Sequence, residues 1–262
     1  MNLSGKTVLL TGASKGLGRA LAVHLDAKGC RLLLVARDTI RLQTLQEALQ
    51  VPNSQIFPCD LSDGDARGKL IEQIIRNESR IDLLLHCAGV GSHSKLSQLT
   101  PEEVRMVLET NAVAPLELTS AFFSLLPKDE PAGIVNIGSV AGELTLPGMS
   151  VYNASKAALH AFSRAVSIEL VNNDHFCLLV ILGALRNTHF GDAINHPAHK
   201  QPALYRRLDV YPEEAAAQIV EAIERQRSVL VIPSWYRVIF GLNRIFLPLS
   251  KWVTRILYRR FR

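Results

Sequence analysis

Apolar and polar positions follow two alternating patterns along this chain. Short, nearly unbroken apolar runs lie at Thr7 to Thr11, Arg31 to Ala36, Gln55 to Cys59, Ile81 to Cys87, Gly133 to Gly138, Phe176 to Leu182 and Val229 to Ile232. Runs of this length and uniformity predict strands buried on both faces. Between them, apolar residues recur three and four apart and predict helices over Leu17 to Lys28, Ile40 to Leu49, Asp63 to Asn77, Pro101 to Leu126, Val151 to Asn172 and Pro212 to Arg225. Thr100 before Pro101, with Glu102 and Glu103 next, is a strong helix start: a cap, a first-turn proline and acids at the positive end of the dipole. Strand and helix in regular alternation predict an α/β fold, a doubly wound seven-stranded parallel sheet with helices on both faces.

Two segments break this rhythm. Arg186 to Tyr211 has no period and is rich in His, Pro and Asn, so it reads as a long loop. Because it follows a strand's carboxyl end, it is expected to overhang a ligand crevice as a lid. From Trp235 the pattern is amphipathic again: on one helix Arg237, Arg244, Lys251, Arg255, Arg259 and Arg262 share a face opposite Trp235, Val238, Leu242, Ile245, Leu249 and Trp252. Gly241 and Pro248 are expected to split it in two. The organisation expected is a core over residues 1–234 and a basic helical extension over 235–262. That extension either lies in a membrane interface or packs on the body or on a second subunit.

Length and composition agree with one folded α/β unit: 262 residues, 48% of them hydrophobic. The net charge of +5 conceals an asymmetry, since nine of the 29 Lys and Arg follow Glu224, the last acidic residue, and the rest of the chain is mildly acidic. A basic tail on an acidic body argues against a nucleic-acid face and for anionic lipid headgroups met by the C-terminus. Cys30, Cys59, Cys87 and Cys177 lack metal-ligand spacing and read as buried thiols of a reducing compartment. The first strand begins within a few residues of Met1, so the expected location is cytoplasmic, with the membrane surface as a further possibility. His189, His196 and His199 sit on a Pro-broken loop and are read as solvated residues; no metal is expected.

Candidate chemistry begins right after the first strand, where TGASKGLG places Gly12, Gly16 and Gly18 at a strand-to-helix turn. Such a turn lets a pyrophosphate approach the backbone and face a helix N-terminus, which implies a Rossmann-type dinucleotide site formed by Gly12, Ser14, Lys15, Gly16, Leu17 and Gly18. After the second strand, where an acid would hold an NAD ribose, stand Ala36, Arg37 and Asp38. Arg37, with Lys15, suits the 2′-phosphate of NADPH, so NADPH is preferred over NADH; the other reading leaves Arg37 solvated and gives the ribose to Asp38. Asp60, followed by Leu61, is placed to accept from the adenine amino group. Tyr152 and Lys156, four apart on a helix, share a face, and a neighbouring cation is expected to bring the phenol toward ionisation. Ser139, from a strand end, is placed to hydrogen-bond a substrate oxygen.

Together these residues resemble the short-chain dehydrogenase/reductase family, from Gly5 to about Ile232. TGASKGLG is similar to its TGxxxGxG, HCAG at His86 to Gly89 to its NNAG, and Asn111, Ser139, Tyr152 and Lys156 to its catalytic tetrad. The resemblance implies that Ala88 and Gly89 line the cofactor, that Asn111 holds a relay water, that Lys156 also holds the nicotinamide ribose, and that Gly183, Leu185 and Thr188 flank the nicotinamide. It further implies a homodimer or homotetramer. Cys87 in place of the second Asn, and Leu182 in place of a Pro, depart from the family pattern. The activity expected is NADPH-dependent reduction of an apolar ketone or 3-oxoacyl-type carbonyl. Oxidation by an alcohol or steroid dehydrogenase, and a non-catalytic dinucleotide sensor, are the alternatives.

Overall fold

The computed structural model describes residues 1–170, 174–186 and 210–245. Seven parallel strands form one sheet: β1 (Thr7–Thr11), β2 (Arg31–Ala36), β3 (Gln55–Pro58), β4 (Leu83–His86), β5 (Gly133–Ile137), β6 (Phe176–Leu182) and β7 (Val229–Ile232). Their order is β3-β2-β1-β4-β5-β6-β7. The order reverses direction between β1 and β4, and this switch opens a crevice at the carboxyl ends of the strands.

Side chains alternate across the sheet, so each strand feeds two cores. Val8, Leu10, Leu32, Leu34, Leu83 and Leu85 pack under α1 (Gly16–Ala27), α2 (Thr39–Ala48) and α7 (Pro212–Glu224). Leu9, Leu33, Val35, Leu84 and Ile134 pack under α3 (Gly64–Asn77), α5 (Ala114–Phe122) and α6 (Ser150–Glu169). Both faces are covered, which is why the strands read as continuous apolar runs. At the amino edge of the sheet, Asp82 is buried and accepts from the Thr7 N–H, Lys6 and Arg80, closing the end of the molecule away from the crevice.

The expected helix from Pro101 to Leu126 is interrupted. It comprises α4 (Pro101–Leu108), a π turn over Glu109–Val113, α5, and a closing 3₁₀ turn over Phe123–Leu125. Pro115 has no N–H to give the Asn111 carbonyl four residues back, so the ladder widens there, and the Ala114 N–H reaches to the Glu109 carbonyl five residues away. Thr100 caps α4 by accepting from the Glu103 N–H at 3.2 Å.

The chain beyond β7 is not a detached tail where it is described. In α8 (Tyr236–Ile245), Tyr236 and Phe240 pack on Val140, Leu179, Ile181 and Val231, while Val238 and Leu242 stand exposed. The lid expected over 186–211 and its histidines lie largely outside the described residues, as does the second half of the extension. The two ends of that segment are described: the Arg186 N–H donates to the Val210 carbonyl, and the Arg186 guanidinium lies over the Tyr211 ring at 5.1 Å.

Phe122 is fully buried beneath the α3–α5–α6 layer. Phe122→Ala is expected to lower stability by about 3–5 kcal/mol, read as a shift of the urea midpoint with unchanged slope. A loss below about 1 kcal/mol would mean that this layer does not close over the sheet.

Candidate active site

The crevice edge gathers Asn111 from the π turn, Ser139 from the end of β5, and Tyr152 and Lys156 from the first turns of α6. Asn111 is fully buried. Its carbonyl oxygen accepts from the Val90 N–H at 2.8 Å, and its amide donates to the Val90 carbonyl at 2.9 Å and to Ser155 Oγ at 3.1 Å. The Ser155 hydroxyl in turn donates to the Tyr152 carbonyl at 2.8 Å. The Asn111 side chain is thus committed as a bracket joining the loop after β4 to α6. A water held at this position, as the family resemblance implies, would have to meet the Asn111 backbone instead.

Lys156 and Tyr152 share a face, with Nζ 6.0 Å from the ring centroid, and Nζ donates to the Ile137 carbonyl at 2.8 Å. The expected tuning of the phenol is nevertheless reversed. Burial pushes Tyr152 up to about 12, against a smaller downward pull from its hydrogen bond with Ser139. Burial also brings Lys156 down to about 8. Desolvation penalises the charged form of each group and is the largest influence on both, so burial favours the neutral phenol at Tyr152.

The turn between β1 and α1 suits a dinucleotide. A Cβ at Gly12 would lie 2.7 Å from Ala88 Cα, and one at Gly18 would lie 2.1 Å from the Gly12 carbonyl oxygen, so the crossing of turn, helix and β4 loop has no room for side chains. Thr11 Oγ1 holds that crossing by accepting from the N–H groups of Cys87 and Ala88. Asp38, Asp63 and Thr100 cap α2, α3 and α4, whereas Lys15 makes no such bond and α1 has no acid in its first turn. Its positive end therefore faces the crevice ready for a phosphate. Ser14 and Lys15 lie in this turn, Gly16 and Leu17 open α1, and Ala88 stands against Gly12, with Gly89 next in the chain.

At the ends of β2 and β3, Asp38 is already engaged. One carboxylate oxygen accepts from the Arg41 N–H, and the other pairs with the Arg41 guanidinium at 3.2 Å. Arg37 is half exposed and only loosely paired with Asp60, at 3.7 Å. Burial raises the Asp60 carboxyl, but hydrogen bonds from the Ser62 N–H and hydroxyl, together with Arg37, hold it below its ordinary value. Leu61 is buried beside it. At the far end, the Gly183 N–H donates to the Ile232 carbonyl, and a Cβ there would lie 2.8 Å from the Tyr236 ring. Leu185 bridges to Val210; Thr188 lies outside the described residues.

The family model for short chain dehydrogenases matches residues 6–197. The chain belongs to the short-chain dehydrogenase family. It is an oxidoreductase of alcohol and ketone groups. Among relatives, an 11-beta-hydroxysteroid dehydrogenase 1A from Arabidopsis thaliana is 31% identical, over 98% of this chain and 76% of that protein. A fatty acyl-CoA reductase from Acinetobacter baylyi is 30% identical, over 86% of this chain and 75% of that protein. A short-chain dehydrogenase from Sphingobium yanoikuyae, solved in complex with NADPH, superposes with a TM-score of 0.77 at 26% identity, covering 93% of this chain and 95% of the other.

Three contributors to this dehydrogenase site were not foreseen from the sequence. Ser155 lies inside the Tyr152–Lys156 segment, and Pro115 signals the π turn that seats Asn111. A third, His160, repeats the four-residue spacing of Tyr152 and Lys156 and is buried beneath them.

Lys156 leaves a mark on stability. Unfolded, it keeps its proton to about 10.5; folded, only to about 8. Between those values the unfolded chain binds more protons, so this group's contribution to stability rises with pH across the window, and its penalty is complete below it. Urea unfolding at about pH 7 and about pH 10 should show that the parent gains stability relative to Lys156→Met on going up. Identical pH dependence in the two proteins would contradict the burial of this ammonium.

Proposed function

We propose that this dehydrogenase reduces the carbonyl of an apolar ketone or 3-oxoacyl-type substrate to the alcohol, using NADPH. The direction follows from the cofactor reading: Asp38 is taken up in capping α2, which leaves Arg37 for a 2′-phosphate, and NADPH pools favour reduction. Working in that direction, the buried Tyr152 phenol gives up its proton, and the same group takes one back in the reverse reaction. In this reading the Ser139 hydroxyl and the Tyr152 hydroxyl, already hydrogen-bonded to each other, both address the substrate oxygen. NADPH, when bound, supplies the hydride to the carbonyl carbon. Tyr152 gives its proton to the carbonyl oxygen, and Lys156, still mostly cationic below about pH 8, steadies the tyrosinate left behind. Residues 1–234 then act as the catalytic unit, with the segment 186–211 as its lid.

The preference for NADPH is supported by the engagement of Asp38 in capping α2, which leaves Arg37 as the side chain placed for a 2′-phosphate. Arg37→Ala is expected to weaken NADPH binding about 10-fold or more and to leave NADH within about 3-fold. Equal losses with both cofactors, measured by fluorescence titration, would remove Arg37 from cofactor choice. Tyr152→Phe should lose about 10²–10⁴-fold in kcat across a ketone panel while NADPH binding stays within about 3-fold. Normal turnover by that variant would refute the mechanism. A parent that binds NADPH tightly and turns over no ketone would point to the sensor reading.

The extension carries a second assignment, contact with an anionic lipid surface. Trp235, Val238, Ile239 and Leu242, spaced as one helical stripe, are exposed beside the inward Tyr236 and Phe240. Nine Lys and Arg and no acid follow Glu224. Among the described residues no helix is long and apolar enough to cross a membrane, and an in-plane contact suits such a stripe. The parent should sediment with phosphatidylserine-containing vesicles more than with phosphatidylcholine alone, and the double variant Val238→Glu, Leu242→Glu should sediment less. Equal partitioning of parent and variant would exclude the stripe as the contact.

A further inference from the structure

Below the tetrad, a buried imidazole touches Ser139 from behind. His160 stands one turn after Lys156 and two after Tyr152 on the same face of α6 and is 1% exposed. Its Nε2 lies 3.2 Å from the Ser139 backbone nitrogen, and its Nδ1 lies 3.1 Å from Glu143 Oε1. The Ser139 N–H is a donor with no other role to offer, so Nε2 must be the unprotonated nitrogen. Nδ1 then carries the proton and donates it to the Glu143 carboxylate. Arg164, next to solvent, pairs with the same carboxylate. The chain runs from Arg164 through Glu143 and His160 to the backbone of Ser139.

The segment Gly138 to Gly142 is shaped around this ring. A Cβ at Gly138 would lie 2.3 Å from His160 Nε2, and one at Gly142 would lie 2.6 Å from Cε1. The two glycines flank Ser139, whose extended backbone begins the 3₁₀ turn and whose Oγ accepts from the Ala141 N–H. The imidazole therefore fills a slot in the very turn that presents the serine hydroxyl.

We propose that His160, as the neutral Nδ1–H tautomer oriented by Glu143, is a positioning residue that sets Ser139 against Tyr152. It touches neither substrate nor cofactor; it acts by anchoring the Ser139 N–H. The assignment rests on the reductase reading for its kinetic consequence and on geometry alone for its tautomer. A displacement of the serine hydroxyl by about 1 Å is enough to cost up to about 100-fold in rate.

Two substitutions separate the ring's two contacts. His160→Gln places an amide oxygen near the position of Nε2 and keeps an acceptor for Ser139. His160→Asn reaches only as far as Nδ1 and loses that acceptor. The Gln variant should keep kcat within about 3-fold of the parent and the Asn variant should lose about 10- to 100-fold, with KM for NADPH within about 3-fold in both. In a Ser139→Ala background the difference between Gln and Asn should vanish, because the anchored hydroxyl is gone. Histidine ¹⁵N spectra of the full chain, assigned by the signal lost in His160→Gln, should show Nδ1 protonated and Nε2 bare.

Equal losses in the two variants, a difference that survives in Ser139→Ala, or an Nε2–H tautomer would each overturn the proposal. If His160→Asn does not fold, a large kcat loss in His160→Gln overturns it and a small one with the Nδ1–H tautomer supports it. A parent without ketone turnover would defeat the reductase reading separately, and the tautomer would still decide whether His160 anchors Ser139.

Discussion

A buried polar seam between α6 and the end of β5 is the constraint from which the site follows. Ser163 accepts from the Asn136 amide, Lys156 donates to the Ile137 carbonyl, and His160 accepts from the Ser139 N–H. Each of these groups is out of water, and a buried donor without an acceptor costs more than a made bond returns. The helix therefore has one rotation and one height at which the seam is satisfied. Tyr152 sits on the same face, so the seam also determines where the phenol stands. Packing alone would tolerate small rotations of an apolar face; a row of directional bonds does not.

Asn111 extends this restraint to a third element. Through Val90 and Ser155 it ties the loop after β4 to α6, and it reaches that position because the helix widens into a π turn ahead of Pro115. The irregular turn is the local cost of bringing an amide into the crossing of α4, α5 and α6. Two serines from the loop after β4, Ser92 and Ser94, bond to Glu103 in the first turn of α4, and the Ser94 N–H bonds to the Gly148 carbonyl. The walls on either side of the crevice are thus linked to each other as well as to the sheet.

Burial that makes the seam rigid also sets the protonation of the reacting groups. Both Tyr152 and Lys156 are pushed toward their neutral forms, and the protein bears the cost of a desolvated ammonium at neutral pH. Sites that perform chemistry commonly carry such a local penalty, while stability comes from elsewhere. Here the two apolar cores on the faces of the sheet, and the ionic cluster around Asp82 at the opposite edge, hold the frame in which the penalty is tolerated.

Much of this was legible in the residues because the relevant signals are local. Uniform apolar runs identified all seven strands to within a few residues, three- and four-residue spacing identified the helices but not the π turn that divides the one expected over Pro101 to Leu126, and the glycines of the first turn and the shared face of Tyr152 and Lys156 are consequences of neighbours along the chain. What the tertiary structure decided depends on distant residues meeting. The direction of the Tyr152 shift required knowing its burial, which the helical spacing to Lys156 does not encode. The inward turn of Tyr236 and Phe240, and the slot that Gly138 and Gly142 leave for His160, arise only when separate elements pack. Periodicity is written in consecutive residues; desolvation and the pairing of buried donors exist only once the chain has closed on itself.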